Sequence, residues 1–276
     1  MRNAKNITIV LTILAVGLLC SSVYGQEEIS GGDKWQISFT PYYWVPNIDV
    51  DATVAGATVN IDMDYDDIMD TFDVFGFSGR VEAWKGDWGL FFDGQYVAAD
   101  AEFDITGAFG VVRLGADVDL VDTTLDFGMA YKLVKMPLGE NGNRMLTFEP
   151  LGGLRYHYFK EEIELRATIA GLGIQGTTIG GDEEWVEPFV GARLRYDLNK
   201  NLAAGVRTDF GGFGIGSASK LTWNLIAGVD WQFKKNTSLK LGYKIFDMDY
   251  ERGNGSDNIG FDGKIQGPMI GLTILF

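Results

Sequence analysis

Cysteine is nearly missing from this 276-residue chain: there is one, at position 20. A single thiol excludes a disulfide framework and a Cys-rich zinc site. Histidine is equally scarce, with His157 alone, so no metal-spaced histidine set exists. Basic residues are outnumbered, 23 Lys+Arg against 38 Asp+Glu, for a formal net charge of −15 and a pI near 4.4. That balance argues against nucleic acid, which is bound by a basic surface. There is no Gly-x-Ser-x-Gly elbow and no Gly-rich phosphate loop. No apolar run reaches the length of about eighteen residues that a membrane helix needs. Proline is sparse at 6, whereas glycine reaches 37 and aromatics 13%. Abundant Gly and aromatics with a mean hydropathy of +0.02 fit strands and tight turns rather than disorder or a helical bundle.

The first segment reads as an export signal. Arg2 and Lys5 make a positive start, Ile7–Leu19 is a short apolar run, and Val23-Tyr24-Gly25 offers a cleavage site after Gly25. Cys20 would suit lipid attachment, but Leu19 before it fits a lipoprotein box badly. Cleavage removes the cysteine and leaves 21 basic residues against 38 acidic ones, a balance of −17. Residues 26–33 would then be a short periplasmic lead-in, and 34–276 the folded body.

That body repeats one pattern, an alternating run followed by a polar turn. Period-two alternation sends successive side chains to opposite faces of a strand. In 185–196, Val186, Pro188, Val190, Ala192, Leu194 and Tyr196 share one face, opposite Trp185, Glu187, Phe189, Gly191, Arg193 and Arg195. Residues 221–233, 145–158 and 125–133 alternate likewise. Aromatics gather at the ends of the apolar faces (Trp35, Trp88, Tyr131, Tyr196, Trp231, Phe233), where a membrane interface favours them. The chain closes on Ile270, Leu272, Ile274 and a terminal Phe276, an ending that resembles the assembly signal of bacterial outer-membrane barrels.

The expected fold is therefore all-β: a transmembrane antiparallel up-and-down β-barrel of about ten strands, with eight or twelve as alternatives. The expected strands lie near 34–46, 75–85, 88–105, 110–134, 145–168, 174–196, 202–211, 220–233, 238–251 and 261–276. Joints at 85–87, 135–144, 197–201 and 234–237 read as periplasmic turns. Those at 47–74, 106–109, 169–173, 212–219 and 252–260 read as outer loops. Segment 47–74 holds an alternating pair around Ala55-Gly56 and a short amphipathic helix at Asp66–Phe72. It is expected to cover the barrel mouth, with a plug in the lumen as the alternative.

Three stretches carry a further likeness: Phe39-Thr40-Pro41-Tyr42-Tyr43-Trp44, Gly86-Asp87-Trp88-Gly89-Leu90-Phe91-Phe92-Asp93-Gly94, and the closing set Gly242-Tyr243-Lys244, Asp247-Met248-Asp249-Tyr250 and Gly267–Phe276. Together they resemble the small, poorly characterised opacity-type outer-membrane barrels. Those motifs mark a fold, and the resemblance implies no catalytic residues.

Polar faces of the strands place Arg80, Glu82, Asp93, Gln95, Glu149, Arg155, Glu187, Arg193, Arg195, Arg207, Asp209, Asp230, Lys240 and Lys244 toward the lumen. Small barrels fill their interior with side chains, and buried charges must pair. A structural ion-pair network is the plain reading of this set, and a narrow selective pore the sharper one. His157 lies on the same face beside Glu149 and Arg155, without a catalytic motif. The acids Asp62, Asp64, Asp66, Asp67, Asp70 and Asp73 read as a solvated surface rather than a calcium loop. The expectation is a non-enzymatic, porin-like or structural outer-membrane barrel without cofactor or metal. Its partners would be outer-membrane lipid, lipopolysaccharide and the barrel-assembly machinery, and the sequence names no external ligand. A barrel enzyme acting on lipid or peptide at the outer rim, and an adhesion barrel using 47–74 and 169–184, are the alternatives.

Overall fold

A computed structural model describes residues 34–54, 57–106, 112–139, 144–169, 173–253 and 258–276. The export signal with Cys20, the 26–33 lead-in, Ala55-Gly56 and the tips of three outer joints lie outside the described residues. The elements are β1 (Gln36–Trp44), β2 (Asn47–Val54), β3 (Ala57–Met63), α1 (Tyr65–Thr71), β4 (Asp73–Lys85), β5 (Trp88–Thr106), β6 (Val112–Tyr131), β7 (Val134–Leu138), β8 (Arg144–Ile169), β9 (Gly173–Asp197), β10 (Leu202–Gly212), β11 (Leu221–Lys234), β12 (Thr237–Arg252) and β13 (Ile259–Leu275).

Ten of these strands close into an antiparallel barrel in the order β1, β4, β5, β6, β8, β9, β10, β11, β12, β13. β13 returns to β1 through pairs such as Phe39↔Ile274 and Tyr43↔Ile270. The terminal Phe276 continues that seam, its N–H donating to Ile37 O at 2.8 Å. β1 begins and β13 ends at the end that carries the tight β4–β5, β9–β10 and β11–β12 turns. In bacterial barrels the short turns are periplasmic.

The alternation fixes which face meets what. Phe127 is 60% exposed and Leu154 54% exposed on the outside, and Met129, Val186, Val190 and Leu241 join them. The residues between them are buried inside: Asp126, Arg155, Glu187 and Phe189. A continuous apolar exterior of this kind is a lipid-facing surface. Trp35, Trp88, Trp231 and Phe233 ring its turn-side edge, where amphipathic rings suit the interface.

Segment 47–74 differs from both expectations for it. It is neither a cover over the mouth nor a plug. Above Tyr42↔Ser78 the β1–β4 ladder stops. The chain passes Val45-Pro46, and β2 takes over β13 as neighbour, with Asp51 opposite Asp262. β3 folds back on β2, and α1 fills the gap before β4. The segment is thus a piece of the wall. Its physical reason lies in its alternation: Ile48, Val50 and Ala52 turn inward while Asp49 and Asp51 turn out, which suits a strand with water on one side only. The acids serve locally. Asp64 caps α1 by accepting from Asp67 N–H at 2.9 Å, and Asp67 reciprocates toward Asp64 N–H at 3.4 Å. β7 is a second departure: residues 134–138 pair with β8 inside the expected 135–144 turn.

The strands also invert polarity along their length. In the lower part of β12, Leu239, Leu241, Tyr243 and Ile245 face out and Lys240 and Lys244 face in. Farther up, Asp247, Asp249 and Glu251 face out, and Phe246, Met248 and Tyr250 line the interior. The 16-residue β12 exceeds the roughly ten residues a tilted strand needs to span a bilayer. Its far end therefore belongs in water, with an apolar inside.

Candidate functional site

The lumen is interrupted at mid-height. Phe91, Ala130, Leu151 and Phe189 form a small apolar cluster there, with Trp84 against it. Glycine makes the room: a Cβ on Gly128 would meet the Phe91 ring at 2.5 Å and Gly152 O at 2.7 Å. Arginines then cover the rings. The Arg80 and Arg207 guanidinium carbons sit 4.3 and 5.0 Å from the Phe91 centroid, and Arg155 lies 4.9 Å from that of Phe189. Desolvated cation–π contacts of this type are worth about 2 kcal/mol each.

The charges are paired densely, as burial demands. Arg155, 1% exposed, donates from Nε and Nη2 to the two carboxylate oxygens of Asp126 at 2.7 and 3.0 Å. Its Nη2 also reaches Asp209 Oδ1 at 2.8 Å. Arg207 Nη2 bridges Asp209 at 3.0 Å and Asp126 at 3.4 Å, and Asn224 Nδ2 donates to Asp209 at 3.2 Å. Below, Arg80 donates to Glu82 at 2.6 Å and Asp93 at 3.1 Å. Tyr42 OH donates to Asp93 at 2.7 Å and accepts from Gln95 at 2.7 Å. Arg193 holds Glu149 at 2.6 Å and Glu82 at 2.8 Å. The Arg193–Glu82 contact joins β9 to β4, four staves apart in the ring of ten, so side chains meet across nearly the full bore.

This layer separates two chambers. The turn-side one, about 700 Å³, is bordered by Lys132, Arg195, Asp230 and Lys240. Arg195 pairs there with Asp197 at 2.9 Å and Asp230 at 3.2 Å. The loop-side one, about 690 Å³, has mostly apolar walls and a charged floor. Tyr42, Asp93, Arg207 and Ile226 border both.

The lumen residues named from the sequence fall into three groups. Arg80, Glu82, Asp93, Glu149, Arg155, Glu187, Arg193, Arg207 and Asp209 belong to the dividing layer. Arg195, Asp230 and Lys240 belong to the turn-side chamber, and Lys244 to the floor of the loop-side chamber. Other contributors lie outside that set, among them Asp126, Phe91, Phe189 and Trp185. Asp126 was readable, since Leu125 and Phe127 face out and alternation puts it in. The same alternation puts Phe91 inward with Asp93, and Trp185 and Phe189 inward with Glu187, but it does not show that these rings pack into the charged layer.

His157 is buried against the wall. Its Nε2 is 3.3 Å from Glu187 Oε1 and its Nδ1 is 3.4 Å from Thr124 Oγ1. The ring stacks on Trp185 at 4.8 Å, and Trp185 stacks on Tyr250 at 4.1 Å. Glu187 accepts further bonds from Thr222 at 2.6 Å and Trp185 at 3.3 Å. Both imidazole nitrogens are thus engaged by neighbours that hold the ring in place.

No family model matches the chain, and no curated protein does. Solved structures do. The outer membrane protease OmpT of Escherichia coli is 10% identical, covering 91% of this chain and 99% of its own, with a TM-score of 0.47. The translocator domain of the autotransporter NalP from Neisseria meningitidis is 11% identical over 99% and 95%, with a TM-score of 0.41. An outer membrane channel from Pseudomonas putida F1 is 10% identical over 92% and 100%, with a TM-score of 0.40. The outer-membrane type of this barrel rests on its own closure and apolar exterior. None of the activities in those names is carried over to this chain.

Proposed function

We propose that this protein is a non-enzymatic outer-membrane barrel whose lumen is closed at mid-height, a structural or binding barrel rather than an open porin. The observation that carries the reading is the cross-lumen layer of Arg155, Asp126, Asp209, Arg193 and Glu82, which meets across the bore with bonds of 2.6 to 3.0 Å. The engagement of both His157 nitrogens supports the non-enzymatic part. The apolar exterior supports contact with outer-membrane lipid, and the acidic outer rim supports contact with lipopolysaccharide phosphates through divalent cations. The Arg2/Lys5 start, the apolar run and Val23–Gly25 support export with cleavage after Gly25, and the Ile270–Phe276 ending supports recognition by the barrel-assembly machinery. Phe39–Trp44 and Gly86–Gly94 support kinship with the opacity-type barrels.

Planar-bilayer recording tests the closure. Folded protein inserted at neutral pH should give no single-channel steps. The double variant Glu82→Ala/Arg193→Ala, which removes the contact spanning the bore, should introduce small steps. Regular steps from the unaltered protein would overturn the closed-lumen reading.

A further inference from the structure

The loop-side chamber combines two properties. Its walls are apolar: Val50, Ile68, Met69, Phe159, Met248 and Phe261 are among the side chains that line it. Its volume of about 690 Å³ lies within the roughly 300–1,000 Å³ of small-molecule sites. Its floor, by contrast, is polar and includes buried donors that have no acceptor. Lys244 is 6% exposed. Among the described residues it makes no ion pair, and its Nζ rests 4.4 Å above the Trp44 ring. Trp44 Nε1 is buried with no partner, and so is Arg155 Nη1, which stays 3.9 Å from Glu187 Oε1.

Two buried N–H groups without acceptors are costly to leave so, and the Lys244 ammonium lies beside them without an ion pair. They could be satisfied together by one anionic acceptor at the base of the apolar space. The contrast with the layer beneath is sharp, since Arg80, Arg193 and Arg207 all have carboxylates within 3.0 to 3.1 Å or less. Asp122 is the opposing feature: it also lines this chamber without an ion pair among the described residues. Glu161 lines it too, also without an ion pair among the described residues, and Asn224 Oδ1 and Arg207 Nε are a further acceptor and a further donor left unpartnered there.

We infer that the loop-side chamber is a binding site for a small amphipathic carboxylate. Its hydrocarbon or aryl body occupies the apolar walls, and its carboxylate accepts from Lys244 with Trp44 and Arg155 beside it. The polarity inversion of β12, β2 and β13 follows from this use: those strand ends build a water-exposed cup with an apolar inside, which membrane insertion alone does not require.

The test uses the full-length folded protein in lipid nanodiscs, with empty nanodiscs subtracted. Three probes share one body: 6-phenylhexanoate, 6-phenylhexanol and 6-phenylhexylamine. Isothermal titration should show one site for the carboxylate, bound at least about 10-fold tighter than the alcohol or the amine, as a charge-assisted hydrogen bond provides. Lys244→Met should remove that preference while leaving alcohol affinity within about 3-fold. Met248→Trp, which fills the chamber, should weaken all three probes. Absence of carboxylate binding, or an amine bound as tightly as the carboxylate through Asp122, overturns the inference on the unaltered protein, whether or not Lys244→Met folds. The titration reads occupancy and the bilayer recording reads conductance, so either proposal can fail alone.

Discussion

Arg155→Met is the substitution that most directly probes whether the dividing layer holds the barrel together. Methionine keeps much of the side-chain volume and removes the charge. Two bonds to Asp126 and one to Asp209 are lost, and so is the cation–π contact with Phe189. Asp126 is then left with Arg207 at 3.4 Å, and Asp209 keeps Arg207 at 3.0 Å and Asn224 at 3.2 Å. Removing one member of a buried ion pair while its partner stays charged costs about 3–5 kcal/mol. The retained Arg207 bonds put the expected loss toward the lower end of that range. Arg195→Met is the matched control. That guanidinium is 44% exposed at the turn-side mouth, where an ion pair is worth about 0–1 kcal/mol. Both variants are to be refolded into lipid vesicles and unfolded in guanidinium, followed by tryptophan fluorescence and by gel mobility with and without heating. Adding Asp126→Asn to Arg155→Met should recover part of the loss, with a coupling of about 0.5–3 kcal/mol. A loss below about 1 kcal/mol for Arg155→Met, or one equal to that of Arg195→Met, would refute the idea that the layer is a stabilising network.

Three further outcomes are expected. Leu154→Arg places a charge on the apolar exterior and should cost about 2–4 kcal/mol in vesicle unfolding, whereas Asp247→Arg on the outer rim should cost about 0–1; equal costs would remove the assigned lipid belt. Gly128→Val drives a side chain into the Phe91 ring and Gly152 O and should destabilise by about 1–3 kcal/mol, with a lower refolded fraction on heat-shift gels. The Lys220 ammonium, and secondarily the Asn258 amide, hold the Glu251 carboxyl below the usual carboxylate range. A lowered folded-state value stabilises above the unfolded value and is lost as pH falls through the folded one. Hydrogen exchange in the 213–220 loop should therefore stay slow down to the ordinary carboxylate range of about 4.3 and quicken only below it. Lys220→Ala should move that onset upward, and an unchanged onset would discount the clasp.

Much of this architecture is legible in the sequence, because alternation in a barrel is enforced from both sides by different solvents. Val186, Val190 and Leu194 against Glu187, Gly191 and Arg193 leave one way to face lipid, and a slip of one residue would expose every charge. The strands near 88–105, 145–168 and 202–211 accordingly match β5, β8 and β10 to within a residue or two. Segment 47–74 was harder. Its alternating acids mark strands, but β2 and β3 meet water outside and apolar residues inside, the reverse of the membrane rule that identifies the other strands. The lumen set was legible as charges and illegible as a site. Sequence puts Lys244 inside with Arg155, and only three-dimensional packing shows that Arg155 is matched by carboxylates while Lys244 is not. Phe91 and Phe189 are put inside by the same alternation, but their packing is not legible, since it depends on the room left at Gly128 and on guanidinium groups from other strands, Arg207 from across the barrel among them.

The acidity of the chain follows from the same division. In the membrane zone the arginines are paired, because unpaired charge there is costly: Arg80, Arg155, Arg193 and Arg207 share Glu82, Asp93, Asp126, Glu149 and Asp209, and Lys244 stands outside that network. Beyond that zone no such constraint acts, and the outward faces of β2, β3, β12 and β13 carry Asp49, Asp51, Asp62, Asp247, Asp249, Glu251 and Asp262 with few bases to answer them. The surplus behind the −15 therefore gathers on the surface of the outer cup. A negatively charged rim around a chamber with a cationic floor repels free anions at long range and admits them only when an apolar body supplies the binding energy. Long-range repulsion is screened by salt, with a Debye length of about 10 Å at 0.1 M, whereas the contact with buried Lys244 is not. Carboxylate association should accordingly speed up as salt is raised from about 0.01 to 0.15 M while dissociation stays nearly constant. Stopped-flow binding of 6-phenylhexanoate measures both rates, and an association rate that falls with salt would show that the floor, rather than the rim, governs approach.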